Sequence, residues 1–364
     1  MPDIRSAHVV LFYLFDIAES IDLTAVPTLI GGPTVAARFS PKPLTPTYVQ
    51  YDKPPLSFDG DVLNAGTLDA FHVRFRVYDY GVLSIALTQP MVGSWADLMA
   101  LGQSLIENDE LELRAEQLVQ RVVDRLKPAL ARHGDTHLRE DYLAILVHEL
   151  DVPQTADELV AAHGSDIAAM LRGERQRLSP QEQDAILRHR ISYLNDDLVV
   201  PTWNAAFVYD TPVGAQAALE ILELANSQLL QFRFHDERLD NELTSIYARV
   251  QRPRWYDQWI SSRHAQAARQ VHALFIEVTE IIDRTVNALK FTGDIYAARL
   301  FSLVAGRLGL DTWKANVERK LNMLNEIYRF AVEQSSMARG QMLELAVVFI
   351  LVLELALFFA GVMK

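Results

Sequence analysis

The sequence contains no cysteine among its 364 residues. This absence excludes disulfides, thiolate zinc sites, iron–sulfur clusters and cysteine nucleophiles. Basic residues are also scarce, because 34 lysines and arginines face 47 aspartates and glutamates and the formal net charge is −13. A surface that binds nucleic-acid phosphates in bulk needs the opposite balance. We therefore expect no bulk nucleic-acid binding, although a local basic patch is compatible with this composition.

Recognisable catalytic and cofactor motifs are missing as well. The chain has no serine nucleophile elbow, Walker sequence, HExxH metal motif or dinucleotide fingerprint. Gly31-Gly32-Pro33 is not followed by the lysine and hydroxyl residue that a phosphate-binding loop requires. We therefore predict no cofactor and no catalytic residues, and we favour a protein that is not an enzyme.

Two short polar segments are weak candidates for metal ligands. His133 and His137 would share one face of a helix, as a metal pair needs, but the glycine and aspartate between them indicate a turn. Asn195-Asp196-Asp197 offers carboxylates to a hard cation, although such a pair more often forms a turn or a helix cap. We predict no metal site, and we interpret His148 beside Glu149 as a packing residue at the end of a strand.

The first 210 residues mix strand and helix patterns. The apolar run from Val9 to Phe15 is too short for a signal peptide and predicts a buried strand. His72 to Tyr78 alternates with period two and is followed by a short turn and a second apolar run, which predicts a β-hairpin. Ser94 is placed to cap the next helix. We predict an α+β head domain over residues 1–210, with a proline-rich loop over 27–55.

After Pro212 the pattern becomes helical. Apolar residues fall alternately four and three positions apart, as in helices that pack along a seam, and Asp236 interrupts the seam once. The seam residues are Leu222, Leu229, Phe232, Asp236, Leu239 and Leu243. Similar seams follow over 271–289 and 317–331. We predict an all-α helical hairpin or coiled-coil region over residues 211–339, packed either within one chain, between copies of the chain, or both.

The C-terminus carries the longest apolar run. Residues 342–363 contain only two charged side chains, Glu344 and Glu354, and as a helix would span the roughly 30 Å hydrocarbon core of a bilayer. This predicts one C-terminal transmembrane helix over 340–364, a single-pass anchor in the inner (plasma) membrane with the bulk of the chain cytoplasmic. A carboxylate deep in lipid costs about 2.5–3.5 kcal/mol. We therefore expect Glu354, with Glu344 nearer the lipid headgroups, at a helix–helix interface in a homo-oligomer.

Several segments together resemble one family. Near the C-terminus the matching residues are Tyr296, Ala298, Arg299, Trp313, Val317, Lys320-Leu321, Ile327-Tyr328, Arg339, Leu343-Glu344, Ile350 and Leu353-Glu354, and upstream they are His189 to Tyr193, Asp196 to Val200, Trp203 to Tyr209 and Asp79 to Val82. The chain resembles the bacterial branch of the required-for-meiotic-nuclear-division family, a membrane-anchored domain of unknown function. The resemblance implies membrane-bound homo-oligomers that support translation, and it implies no catalytic residue.

These observations give two hypotheses of different classes. The first is a membrane-anchored oligomeric scaffold or assembly protein, with the lipid bilayer and further copies as partners. The second is a membrane-bound enzyme whose pocket lies in the head domain, between the strand ending at Glu149 and the Asp196-Asp197 segment. A cavity with convergent carboxylates and histidines would favour the second hypothesis.

Overall fold

The computed structural model describes residues 3–36, 53–63, 70–106, 108–131, 138–250 and 295–359, with isolated positions between 273 and 279. The chain divides into two compact units. The head unit comprises Met1–Phe234 and Arg284–Trp313, and the helical unit comprises His235–Asp283 and Lys314–Lys364. The division falls inside a long helix, whereas the sequence places a boundary after residue 210.

The head unit is built on a mixed sheet of eight strands. The described strands in chain order are β1 (Asp3–Asp16), β2 (Ser20–Ile21), β3 (Val35–Ala36), β4 (Leu56–Asp59), β5 (His72–Val77), β6 (Val82–Ser94), β7 (Leu130–Ala131), β8 (Arg139–Leu150), β9 (Leu198–Pro201) and β10 (Ala205–Tyr209). The large sheet has the order β3-β4-β5-β6-β1-β8-β10-β9, and β2 pairs separately with β7. Within it β8 and β10 run parallel, and the other neighbouring strands run antiparallel.

Some of the described helices pack against this sheet, and others form the helical unit. They are α1 (Val26–Ile30), α2 (Trp95–Leu105), α3 (Asp109–Leu126), α4 (Ala156–Arg172), α5 (Pro180–Leu187), α6 (Pro212–Val250), α7 (Ile295–Leu308) and α8 (Leu310–Phe359). The prediction that Ser94 caps a helix is confirmed: its hydroxyl accepts from Asp97 N–H at 3.2 Å, and the Asp97 carboxylate accepts from Ser94 N–H at 3.0 Å. Such a capping box satisfies backbone donors that would otherwise be unpaired.

The predicted hairpin is confirmed as the pair β5–β6. Tyr78 N–H donates to Val82 O at 2.9 Å and closes the turn. Gly81 lies in this turn with φ +91°, and a Cβ there would come within 1.7 Å of the Ala18 carbonyl oxygen. The position therefore requires glycine for both its backbone angle and its close approach.

Both faces of the central strand β1 are buried. Val9, Leu11 and Tyr13 belong to a large apolar core that includes side chains of α1 to α5. Side chains alternate along a strand, so Phe12 and Leu14 lie on the opposite face together with Asp16. The Asp16 carboxylate accepts a hydrogen bond from Gln231 of α6, so this second face packs against α6.

The prediction of a C-terminal transmembrane helix is wrong. Residues 342–359 of the apolar stretch form the end of α8, a helix of 50 residues that begins in an ordinary mixture of polar and apolar side chains. Among the residues that the structure describes, no helix combines the length and the apolar character that crossing a bilayer requires. This finding corrects the predicted fold class, the tail anchor and the single-pass location in the plasma membrane.

Candidate functional site

A layer of buried polar side chains lies between the second face of the sheet and α6. Arg76 of β5 is only 4% exposed, and its guanidinium lies 2.7 Å from the Glu223 carboxylate and 3.9 Å from that of Glu220. Its Nε also donates to Ser57 Oγ at 3.0 Å. Buried charges are tolerated only when they are paired, and this arginine is surrounded by partners.

The same layer continues along α6 towards its middle. The hydroxyls of Tyr80 and Ser227 lie 2.6 Å apart, and Gln231 donates to Asp16 at 2.9 Å. Burial raises the pKa of Glu220, although Arg76 partly offsets the shift. Because these groups are enclosed, the layer fixes the position of α6 on the sheet and offers no access to a substrate. The sequence pattern marked Arg76 only as the polar face of a strand.

A pair of histidines forms a directional hydrogen-bond chain on the same face of the sheet. His148 Nδ1 lies 3.2 Å from the Asp210 carbonyl oxygen, and His8 Nδ1 lies 3.0 Å from His148 Nε2. A carbonyl only accepts, so His148 carries a proton at Nδ1; when both rings are neutral, His148 Nε2 accepts from His8 Nδ1 and a lone pair is left on His8 Nε2. Burial, and then His148, lowers the pKa of His8.

His8 Nε2 can therefore act as a base or as a metal ligand. The described residues nevertheless contain no group of three or more histidine, aspartate or glutamate side chains able to hold a metal ion. The sequence interpretation of His148 as a packing residue missed this chain, because His8 lies 140 positions away and joins it only through the pairing of β1 with β8.

The predicted ligand residues of the head have local structural roles or fall outside the described part of the chain. The Asp197 carboxylate accepts from the backbone N–H groups of Tyr193 and Leu194 at 2.6 and 3.0 Å and so closes a turn. Glu149 pairs with Arg5 at the surface, at 3.4 Å. His133 and His137 lie outside the described residues. The predicted pocket between Glu149 and Asp196-Asp197 therefore lacks convergent groups among the residues described there.

An open cleft of about 500 Å³ lies elsewhere in the head unit. It is lined by two segments that are distant in sequence, the end of α5 with the residues after it, and α7. The lining residues are Arg190, Ile191, Ile295, Ala298, Arg299, Ser302 and Leu303. Its lining combines apolar side chains with two arginines. The sequence singled out both segments without indicating that they meet.

The predicted helical seam serves two different cores. Leu222, Leu229 and Phe232 belong to the head unit, where α6 is buried on every side over residues 218–232. Leu239 and Leu243 are buried in the helical unit, as are the α8 seam residues Val317, Leu321 and Leu324.

The polar interruption of the seam has a partner within the helical unit. The Lys320 ammonium lies 2.7 Å from the Asp236 carboxylate and 2.6 Å from that of Asp240, and it also donates to the Asp236 carbonyl at 3.2 Å. Asp236 therefore joins α6 to α8 through a lysine that both carboxylates hold in place. A polar residue at such a position fixes the register of the helices.

The last described turns of α8 expose apolar side chains. Glu344 and Glu354 are both exposed. Between and beside them the exposed fraction ranges from 49% to 67% for Val347, Val348, Phe349, Ile350, Leu351, Val352, Leu353 and Leu355. Monomeric proteins rarely expose a continuous apolar surface of this kind, so we treat this segment, residues 347–355, as an interaction surface and name it the apolar end of α8.

Comparisons with known proteins identify one family, and the match to its model lies in the head unit. The Uncharacterized protein MJ0711 of Methanocaldococcus jannaschii is 22% identical over 246 residues, which are 68% of this chain and 74% of that protein. No solved structure matches the chain. The model of the family described as "Uncharacterized protein MJ0711, N-terminal domain" matches residues 6–216, from β1 to the start of α6. Neither comparison mentions the meiotic family, so that resemblance stays a prediction. Because the match covers more than half of its residues, the chain belongs to the MJ0711 N-terminal domain family.

Proposed function

We propose that this protein is an oligomeric assembly protein whose copies associate through the apolar end of α8. The observation that carries the proposal is the exposure of eight large apolar side chains within nine residues. Leaving them in water costs free energy, because burial of apolar surface contributes about 25 cal/mol per Å². A second copy of the chain that covers this surface would recover that free energy.

The seam of α8 supports a second copy as the occupant. Counted in steps of four and three from Val317, Leu321 and Leu324, the seam arrives at Phe349 and Val352. The first three are buried within the chain, whereas Phe349 is 67% exposed and Val352 is 61% exposed. The same stripe thus changes from covered to uncovered along one continuous helix. A second copy presents an identical stripe, and two such stripes are complementary by symmetry.

The two glutamates fit this arrangement beside the seam, and not at the helix–helix interface expected for a membrane-buried Glu354. In the same register Glu344 and Glu354 fall on outer positions, away from Phe349 and Val352, and both are exposed. Their carboxylates would stay in water when the seams of two copies meet, so an interface would bury no unpaired charge.

The test is the solution mass of the full chain, measured by size-exclusion chromatography with light scattering. We expect a defined oligomer for the unmodified protein. Val352→Asp puts a charge on the seam and should convert the oligomer to monomer. Val347→Asp is the matched control, because Val347 lies in the same segment with similar exposure, 54%, but on an outer position. It should keep the oligomer.

Two results would contradict the proposal. A monomeric unmodified protein would mean that copies do not associate at all. Equal loss of assembly in Val352→Asp and Val347→Asp would mean that the association does not follow the seam.

The resemblance to the required-for-meiotic-nuclear-division family agrees with this proposal, because it implies homo-oligomers. It also implies that such an assembly supports translation, which we include in the proposal. The alternative of an enzyme lacks support at the predicted place, because Asp197 and Glu149 are engaged in a turn and a surface ion pair.

A further inference from the structure

The cleft between the end of α5 and α7 combines two chemical features that one class of ligand uses together. Its apolar lining includes Ile191 and Leu303, and its charged lining consists of Arg190 and Arg299. Its volume of about 500 Å³ falls in the range of small-molecule sites, which is about 300–1,000 Å³.

The surroundings of the cleft are positively charged in a protein that is acidic overall. Arg188 and His189 precede Arg190 directly, and Arg307 of α7 is close enough to His189 to act on it. Burial, then Arg307 and Arg188, lowers the pKa of His189. The Arg307 Nε is buried and has no hydrogen-bond partner in the part of the chain that the structure describes.

The guanidinium of Arg190 has two partners among the described residues, and it donates to the first, the Leu187 carbonyl oxygen, at 3.0 Å. Asp157 lies 3.8 Å from Arg190, and the Asp157 side chain is 93% exposed, so solvent screens this pair strongly. Arginine binds phosphate oxygens in a planar, two-pronged geometry, which makes a pair of arginines at a cleft edge suited to a phosphate group.

An aromatic pair completes the site. Tyr193 follows Arg190 by three positions and is 56% exposed. Its ring centroid lies 5.2 Å from that of Tyr296, which is the neighbour of the cleft residue Ile295, and the two rings are tilted by 59°. Tyr193 is thus an exposed aromatic ring two positions after the cleft residue Ile191. Exposed aromatic rings next to arginines stack nucleobases in proteins that bind single strands.

We propose that this cleft binds a nucleoside phosphate, with the phosphate on Arg190 and Arg299 and the base stacked on Tyr193. The ligand is either a free nucleotide or one nucleotide of a single-stranded RNA, because both present the same base and phosphate. The acidic net charge does not oppose a site of this size, since it concerns one or two phosphates rather than a long backbone.

The test is a binding measurement on the full chain with four probes. A fluorescein-labelled single-stranded oligoadenylate RNA is followed by polarisation, and AMP, adenosine and inorganic phosphate are added as competitors and also titrated by calorimetry. We expect AMP to bind more tightly than adenosine or phosphate alone. Competition by AMP against the RNA would identify a single nucleotide as the recognised unit. Binding of AMP without RNA would identify a free nucleotide as the ligand, and binding of RNA without AMP would identify single-stranded RNA.

Variants locate the site. Arg299→Ala should weaken binding about tenfold through loss of a charge-assisted hydrogen bond, and Arg299→Lys should restore part of it. Tyr193→Ala should weaken binding about tenfold through loss of stacking. Arg121→Ala removes an exposed arginine from α3 and is the matched control, which should bind as the unmodified protein does.

Three results would overturn the proposal. The first is absence of binding by both AMP and the RNA at about 1 mM ligand, which is the limit of a weak site. The second is equal binding of AMP and inorganic phosphate, because the base would then contribute nothing. The third is binding by Arg299→Ala that equals binding by Arg121→Ala. Circular dichroism checks that each variant folds, and Arg299→Lys gives a second, milder variant at the same place.

Discussion

At the scale of single residues, the enclosed ion pairs of Arg76 dominate the interior of the head unit. Its guanidinium contacts Glu220, Glu223 and Ser57, and both carboxylates are buried with it. A charge in such surroundings is costly to leave without its partners. The pairs therefore matter for which arrangement of α6 on the sheet is allowed, more than for the total free energy of folding.

We predict that Arg76→Met lowers the free energy of unfolding by about 3–5 kcal/mol, because two carboxylates then stay buried without their cation. Urea denaturation measures the change. Arg5→Met is the control, since its partner Asp151 lies 2.6 Å away in a pair that is 57% and 41% exposed, and it should cost less than about 1 kcal/mol. Similar losses in both variants would show that Arg76 is not a buried charge in solution.

His235 gives the fold a pH dependence of known sign. Burial, and secondarily Arg238, lowers the pKa of His235 to about 3. Below its ordinary pKa of about 6.5 the unfolded chain binds a proton that the folded chain does not, so stability is complete above that pH and falls as the pH drops towards about 3. The slope for one proton is about 1.4 kcal/mol per pH unit.

We predict that His235→Gln removes this contribution. The free energy of unfolding of the unmodified protein should fall more steeply between pH 6.5 and 4 than that of the variant, by about 1.4 kcal/mol per pH unit. Urea denaturation at a series of pH values provides the comparison, with His72→Gln on the exposed edge of β5 as the control. Parallel curves for the unmodified protein and His235→Gln would refute the assignment.

At the scale of elements, the turn between β5 and β6 joins the sheet to the chain after β1. Gly81 O accepts from Ile17 N–H at 2.9 Å, and the Ala18 carbonyl occupies the place where a Cβ would stand. The hairpin is therefore stabilised by the backbone that follows β1 as well as by the hydrogen bonds between β5 and β6.

We predict that Gly81→Ala destabilises the protein by more than about 2 kcal/mol, because the backbone angle is left-handed and the added carbon collides with backbone. Gly32→Ala is the matched control, since an added carbon there meets nothing within 4 Å. Thermal unfolding followed by circular dichroism compares the two. Equal midpoints would show that the turn relaxes without cost.

The sequence predicts correctly the features that depend on residues close together in the chain. The hairpin, the strand over Val9–Phe15 and the Ser94 cap depend on neighbours in sequence, and the structure confirms them. The burial of α6 depends on residues distant in sequence. Its four-three spacing predicts a helix buried along one stripe, yet residues 218–232 are buried on every side, including Glu223 and Gln228. Spacing alone does not reveal that a helix has neighbours on every side.

The candidate sites were harder to predict for the same reason. His8 meets His148, and Arg190 meets the cleft that Arg299 also lines, only after strands and helices far apart in the chain have come together. No short motif marks either place. The sequence singles out His148, Arg190 and Arg299 individually and His8 not at all, and their chemistry arises from the pairing.

At the scale of the whole molecule, the C-terminal prediction went wrong because composition was read without its context. The 22-residue run with its two glutamates satisfied a length criterion for a bilayer span, but its described part ends a helix of 50 residues that starts at Leu310. The apolar end of α8 is nevertheless exposed, and the proposed association of copies rests on this exposure.

The position of β1 has a consequence for synthesis. This strand is synthesised before both of its partners, yet it lies between β6 and β8, so Val10 pairs with both Thr88 and Ala144. At roughly 5–20 residues per second, several seconds separate the emergence of its two partners. During that interval one edge of the largely apolar strand β1 has no neighbour. An unpaired strand edge can form hydrogen bonds with other chains and so lead to aggregation. The nascent chain therefore needs that edge of β1 to be covered until β8 has been synthesised.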